Sequence, residues 1–166
     1  MSSELVGLFK HNLWANLYLL EACEKLTGAQ LDATFAGTYG SVRDTLVHIA
    51  SGEELYVHML LGQPRPPRRE GQGFAGFEQL RDSLTRTGRE LISLAQNNAI
   101  PEKYVNIAEG EELAGSMVVI LAINHATEHR AHINTVFCQL GLEPVDLDGW
   151  AYGWTHGLMK MLEPSE

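Results

Sequence analysis

The chain has 166 residues, with 12 Lys and Arg against 21 Asp and Glu, and a formal net charge of −9 when its histidines are neutral. This length is enough to bury a hydrophobic core without disulfides or a structural metal, so a bound metal is expected to serve function. The negative charge and the scattered Lys and Arg remove the electrostatic basis for binding nucleic acid or an anionic membrane.

The sequence indicates a reducing compartment. Residues 1–10 show no signal-peptide pattern, and no run approaches the ~20 apolar residues of a membrane span, so we expect a cytoplasmic protein. Cys23 and Cys138 lie far apart in helix-like stretches and form no C-x-x-C pair. We interpret them as buried free thiols, with a single disulfide between them as the alternative.

The first of four stretches with helical periodicity runs from about Ser3 to Leu26. Its apolar residues recur every three or four positions, which is typical of one buried helix face. Ser2 or Ser3 is the predicted N-cap, and Gly28 is predicted to end the helix.

The second predicted helix opens at Ser41 and ends at Gly62. Asp44 follows the cap by three residues, which indicates a reciprocal capping arrangement. The linker 63–76 contains three prolines and cannot continue the helix. It can extend to about 46 Å, whereas a helix of about 20 residues is about 30 Å long. The linker can therefore cross the bundle from end to end.

The third and fourth helices are predicted at about 77–95 and 116–140, with Gly141 as the stop of the fourth. Between them, residues 104–113 are a candidate for a small hairpin that turns at Glu109-Gly110. No other run alternates long enough to demand a sheet. The chain is therefore predicted to be an all-α helical bundle.

The tail 146–166 differs from the rest of the chain because four aromatic residues stand among glycines: Trp150, Tyr152, Trp154 and His156. So much glycine disfavours a helix. We interpret these aromatics as a cover over one end of the core, and the alternative is a lid or wall over a functional site.

The fourth helix carries the residues that point to chemistry, His125 and His129. Residues four apart lie on one helical face, where two imidazoles can bind one ion. Positions 118, 121, 125, 129, 132 and 136 are expected to form the buried face. His48 is the best third ligand because it lies in the middle of the second helix. Gly52 follows one turn later, and its missing side chain either leaves room for a substrate or allows close helix packing.

Several familiar sites are excluded by the residues present. Ala126 follows His125, so the glutamate of an H-E-x-x-H metalloprotease is missing. No histidine has Glu three residues before it, which excludes a carboxylate-bridged di-iron bundle. The sequence also lacks a glycine-rich phosphate loop, a G-x-S-x-G elbow and a catalytic cysteine motif.

Several short motifs follow one another in a specific order along the chain. They are Phe9-x-x-x-x-Trp14-Ala-Asn16, then Ser41-Val42 with Leu46-x-His48-Ile49, and then His125-x-x-x-His129-Arg130 with Leu140-Gly141, Pro144 and Asp146. In order and spacing this set resembles the DinB-like (YfiT-like) family of metal-binding four-helix bundles. The resemblance covers most of the chain.

The resemblance implies one domain over residues 1–166, an up-down-down-up four-helix bundle with crossover connections and a short C-terminal extension. It also implies that His48, His125 and His129 bind nickel or zinc, often in a homodimer. Many members have Gln at the position of His132, so this residue is a hydrogen-bonding neighbour, a core histidine or an alternative ligand. We favour a role other than ligand.

A divalent ion on three neutral imidazoles keeps an open coordination position, as catalytic zinc sites do. The primary hypothesis is a metal-dependent hydrolase or thiol S-transferase that acts on a small molecule, with a low-molecular-weight thiol as a candidate substrate. The family includes such thiol-dependent enzymes. The alternative is a stress-associated metal-binding interaction protein without turnover, because no convincing general base or arginine cluster can be named.

The sequence gives weaker support for a functional role of several other polar residues. Glu53, Glu128 and Asn16 are candidates for proton handling or for contacts to the ligands, although we favour the interpretation that each is an ordinary polar residue of a helix surface. His11 is a candidate pocket residue, and His58 and His156 are expected to lie outside the site.

Overall fold

The structure is a computed structural model that describes residues 3–69, 71–108 and 110–161. Its elements follow the predicted order closely. They are α1 (Ser3–Cys23), α2 (Gly28–Leu31), α3 (Val42–Leu60), α4 (Phe77–Gln96), β1 (Tyr104–Ala108), β2 (Glu111–Ala114), α5 (Gly115–Gln139) and α6 (Gly149–Thr155). The four predicted long helices correspond to α1, α3, α4 and α5.

These four helices form a bundle in which α1 and α3 each pack against both α4 and α5. One buried cluster joins Phe9 near the start of α1 to Val57 near the end of α3, to the last part of α4 and to Val118 near the start of α5. The opposite cluster joins Leu20, late in α1, to Val42 at the start of α3. Helices α1 and α5 therefore run one way while α3 and α4 run the other, which confirms the up-down-down-up bundle.

The hairpin between α4 and α5 is confirmed. Strands β1 and β2 are antiparallel, with Tyr104 opposite Ala114 and Val105 opposite Leu113. Gly110 has φ +77°, a conformation that favours glycine in a tight turn. Glu109, the other predicted turn residue, lies outside the described residues.

Helix termini follow their capping chemistry. The Ser41 side chain accepts from the amide of Asp44, and the Asp44 carboxylate accepts from the amide of Ser41, so α3 begins as predicted. Helix α1 ends at Cys23 rather than Leu26, and Gly28 begins α2 instead of only ending α1. The reason is a second capping box, between Thr27 and Gln30. Ser2, a predicted cap of α1, lies outside the described residues.

The buried face of α5 differs by about one position from the predicted one. Leu121 is 38% exposed, and His125 and His132 lie at the border of the face, whereas Ala122 and Ala126 are buried. The centre of the buried face is formed by residues 118, 122, 126, 129, 133 and 136, whose mean spacing is close to the 3.6 residues of an α-helical turn. The small alanines pack inward, and His125 lies at the edge of the bundle.

The tail also departs from expectation. It forms α6, with the Asp148 carboxylate accepting from the amides of Trp150 and Ala151. Trp150 and Trp154 are 69% and 51% exposed, so the prediction that they cover the core is wrong. Tyr152 packs edge-on against Trp14 of α1, and α6 is fixed there. Residues 162–166 of the tail lie outside the described residues.

The two cysteines are free and in different environments. Cys23 is fully buried, as predicted, whereas Cys138 is exposed on α5, so its predicted burial is wrong. No helix among the described residues is both long and apolar enough to cross a membrane.

Candidate metal centre

The structure brings together the three histidines that the sequence singled out, here called the three-His group: His48 of α3 with His125 and His129 of α5. One ring nitrogen from each lies within 4.8 Å of the other two, and the Nε2 atoms of His48 and His125 are 3.0 Å apart. Two imidazole nitrogens that share one zinc ion at about 2.0–2.1 Å are themselves about 3 Å apart. The donor set therefore fits a divalent transition-metal ion.

Gly52 makes this convergence sterically feasible. It lies one helical turn after His48, and a Cβ added there would lie 2.4 Å from Cε1 of His125. Real carbon atoms do not approach so closely, so any larger residue would displace the imidazole. Close helix packing is thus observed at Gly52, where the missing side chain makes room for His125 itself. Gly52 also lines the cavity described below, so the interpretation that it leaves room for a substrate stays a prediction.

His132 orients His129. Its Nδ1 lies 3.3 Å from Nδ1 of His129, which leaves the Nε2 edge of His129 for the group. A hydrogen bond to the remote ring nitrogen commonly fixes the tautomer of a metal-binding imidazole. Burial and then the charges on His48 and His132 lower the pKa of His129 to about 4, so the imidazole is neutral at pH 7. His132 is thus a hydrogen-bonding neighbour and does not join the three-His group.

Two tyrosines frame the three-His group. The ring of Tyr39 stacks on His48 with centroids 4.0 Å apart and contacts His129 edge-on at 5.0 Å. Tyr56 meets His125 edge-on at 5.6 Å. These ring contacts restrict rotation of the imidazoles, and sequence reasoning missed both residues because neither belongs to a recognisable motif.

A cavity of about 270 Å³ opens beside His48 and His125. Helix α3 forms one wall, and the linker 63–76 forms another. The lining residues are Tyr39, His48, Ser51, Gly52, Leu55, Tyr56, Arg65, Pro66, Pro67, Arg68 and His125. Among the described residues, neither Asp nor Glu lines this cavity. The side of the three-His group that faces this space is thus accessible to a small molecule.

A buried set of polar residues, here called the polar layer, crosses the bundle and takes at least one residue from each long helix. Its members are Asn12, Asn16, Glu53, Thr87 and Arg130. On α1, α3 and α4 it lies between the two apolar clusters. Glu53 and Asn16 were interpreted as surface residues, so the layer corrects that interpretation.

Every charge in the polar layer is compensated. Asn12 and Asn16 donate to Oε2 of Glu53 at 2.9 and 3.0 Å, and their carbonyl oxygens each accept from Arg130 at 2.7 Å. Thr87 donates to Oε1 of Glu53 at 2.5 Å. Burial raises the pKa of Glu53 against these hydrogen bonds, and burial lowers the pKa of Arg130 to about 10. Arg130 therefore keeps its charge at pH 7.

The four-residue spacing of Asn12 and Asn16 was the signal that could have revealed the polar layer. Residues four apart face the same neighbour on a helix. Their amides offer both donors and acceptors, which is what a buried arginine and a buried glutamate need. The sequence shows the two asparagines on one helix face, but the residues with which they pair are known only once the neighbouring helices are placed.

The remaining candidates lie apart from the three-His group. His11 contacts the backbone oxygen of Leu147 at 2.9 Å and holds the tail. His58 contacts the backbone oxygen of Pro64 at 2.8 Å, and His156 packs on Tyr152. Glu128 is exposed. The expectation that His58 and His156 lie outside the group agrees with these contacts.

Comparisons with known proteins agree with this fold. A sequence model of the DinB family matches residues 1–164. The crystal structure of a DinB-like protein from Bacillus cereus superposes with a TM-score of 0.68, covering 87% of this chain and 96% of that one at 13% identity. Identity this low shows a shared fold and no more. No curated protein is detectably similar in sequence.

Proposed function

This chain belongs to the DinB family, and from that premise we propose that it is a metal-dependent enzyme whose divalent ion, nickel or zinc, is held by His48, His125 and His129. The observation that carries the proposal is the convergence of three imidazoles from two helices beside an open cavity. A metal that only stabilised the fold would normally have four protein ligands, whereas catalytic sites keep one position open. Among the described residues, no carboxylate or thiol joins the three histidines.

The bound ion would supply Lewis acidity at that open position. Residues of this chain orient the histidine ligands and line the space beside them. His132 orients His129, and the ring of Tyr39 holds His48. Pro66 and Pro67 line one side of the cavity with a conformationally restricted backbone. A small substrate would therefore meet the ion in a space with fixed walls.

Of the two reaction types, we favour thiol transfer over hydrolysis. A metal ion lowers the pKa of bound water to about 7, and hydrolases commonly add a carboxylate that takes its proton, but among the described residues the cavity wall contains neither Asp nor Glu. A thiol loses its proton more readily than water does and becomes a strong nucleophile once ionised. The proposed substrate pair is thus a low-molecular-weight thiol and a small electrophile.

Purified protein loaded with nickel or zinc tests the proposal. We expect about one ion per chain and metal-dependent turnover in a thiol-conjugation assay, with ester and amide substrates as comparisons. The variant His125→Ala should lose both ion and turnover. His156→Ala, which removes an exposed imidazole outside the three-His group, should keep both.

The same measurements separate the rival function. A bound ion with no turnover on any substrate class would identify a metal-binding interaction protein. A chain that binds no ion would exclude both functions. The homodimer implied by the family resemblance stays a prediction, and sedimentation velocity of the purified protein is the measurement that tests it.

A further inference from the structure

The cavity beside the three-His group differs in charge from the rest of the chain. The chain carries 21 acidic residues against 12 basic ones. Among the described residues the cavity wall reverses that balance, because Arg65 and Arg68 are its charged members and no described carboxylate lines it. A divalent ion on the histidines would add further positive charge. The space is therefore suited to an anion.

The segment that carries the two arginines is fixed at both ends. On one side, the backbone oxygen of Pro64 contacts Nδ1 of His58 at 2.8 Å. On the other, Arg69 donates to Glu54 at 2.9 Å and to Ser83 at 3.1 Å. Two prolines between these anchors restrict the backbone further. Residues 65–68 are thus held over the cavity before any ligand arrives.

No described carboxylate holds Arg65 or Arg68. Four other arginines form ion pairs with carboxylates: Arg43, Arg69, Arg81 and Arg86. Within the described part of the chain, neither Arg65 nor Arg68 has a carboxylate partner. Guanidinium groups suit carboxylate and phosphate because their N–H donors match the oxygens of these anions.

The size of the cavity limits the ligand. Pockets for drug-sized molecules commonly have volumes of about 300–1,000 Å³. At about 270 Å³ this one admits only a small compound. Because both arginines and two of the three histidines line this one cavity, a single small compound can contact both sets.

We propose that the cavity binds a small anionic molecule whose carboxylate or phosphate is held by Arg65 and Arg68 while its other end faces the three-His group. This inference rests on the proposed function and adds a substrate class to it. It assigns Arg65 and Arg68 to substrate selection, a role the sequence analysis did not foresee.

The test uses two probes of nearly the same size and shape that differ in charge: 3-mercaptopropionate and its neutral amide, 3-mercaptopropionamide. Each is titrated into the cobalt-loaded protein, where thiolate binding to cobalt is read from the visible spectrum. A charge-assisted hydrogen bond commonly contributes enough for at least about a tenfold preference, so the acid should bind about tenfold more tightly than the amide. In Arg65→Gln/Arg68→Gln the ratio should fall to about one.

A matched control removes the same charge elsewhere. Arg89→Gln/Lys103→Gln deletes two exposed cations that do not line the cavity, and it should keep the native preference. Equal affinities for the two probes in the native protein would overturn the inference and leave the proposed function intact. A preference that persists in the Arg65/Arg68 variant would also overturn it. If cobalt does not bind at all, the proposed function falls and the inference falls with it.

Discussion

Gly52 is the residue on which the shape of the three-His group most directly depends. In Gly52→Ala the new Cβ would meet the imidazole of His125 at 2.4 Å, so the ring must turn away. The helix itself gains from the change because alanine is the better helix former by about 1 kcal/mol. We expect a folded protein whose nickel or zinc affinity falls by at least about tenfold, as when a group that orients a ligand is lost. Isothermal titration calorimetry measures the affinity.

The control for this experiment is Gly7→Ala. Gly7 lies inside α1 with nothing within 4 Å of the position that a Cβ would take. The Gly7→Ala substitution makes the same chemical change at a helix position without crowding, so it should leave metal affinity unchanged. Native affinity in Gly52→Ala would show that the backbone of α3 yields and that His125 does not depend on the glycine.

The two cysteines should differ sharply in reactivity. Burial raises the pKa of the Cys23 thiol to about 12, and the side chain is fully enclosed. Cys138 is exposed. Because the thiolate is the reactive form, we expect one thiol per chain to react with a disulfide reagent in the native reduced protein and two in denaturant. Cys138→Ser should remove the native reaction. A second native thiol would contradict the burial of Cys23.

At the scale of elements, the linker 63–76 is held by a carboxylate with two partners. Glu54 accepts from Arg69 at 2.9 Å and from Arg86 at 2.5 Å. Burial raises the pKa of Glu54, but the two arginines lower it by more. Because the pKa of Glu54 is lower in the folded protein than in the unfolded chain, these contacts stabilise the fold fully at a pH above the unfolded-state pKa. This contribution is lost as the pH falls through the folded-state pKa of Glu54.

Glu54→Gln is expected to loosen the linker without unfolding the bundle. An ion pair near the surface contributes only about 0–1 kcal/mol, so the melting temperature should change little. Trypsin should cleave the Arg68–Arg69 bond faster, whereas the bond before Pro66 resists it. Mass spectrometry of the fragments over time measures the rate.

Glu24→Gln is the matched comparison because it breaks the pair with Arg81 on another part of the surface. Cleavage after Arg68 should stay at the native rate in that variant. Equal cleavage rates in the two variants would show that Glu54 does not hold the linker.

The reach of sequence reasoning differs between elements. Periodicity and capping residues located the four long helices, and the hairpin was found from its turn. The small helix α2 was missed because Thr27 and Gln30 form a capping box too short to stand out. Helix α6 was missed because its glycines outweighed the cap at Asp148. In both segments a capping hydrogen bond favoured a short helix where the amino-acid composition had predicted none.

At the scale of the molecule, the three-His group was predictable and its surroundings were not. Two histidines four residues apart on one helix are a recognisable pattern, and His48 was chosen as the third ligand for its position in the middle of another helix. The arginines of the cavity come from a linker whose path depends on where Glu54 and Ser83 lie. The polar layer needs all four helices in place. Contacts of this kind arise from the packing of distant segments, which a single sequence does not display.

Metal should stabilise this molecule without being needed to fold it. The bundle has two extensive apolar clusters, and each described buried polar side-chain atom has a hydrogen-bond partner. We therefore expect protein stripped with a chelator to remain helical and to unfold cooperatively. An ion at 100 times its dissociation constant adds about 2.7 kcal/mol. For a chain of this size, that should raise the melting temperature by roughly 5–10 °C.

Circular dichroism melts of stripped and zinc-loaded protein measure both quantities. The ion would join α3 to α5, so the gain should disappear in His48→Ala and in His125→Ala alike, because each removes the contact from one helix. Loss of helicity on stripping would instead make the metal structural and remove the argument for an open catalytic position. An unchanged melting temperature with zinc in excess would mean that the three imidazoles do not bind the ion, and the cavity beside them would then need another explanation.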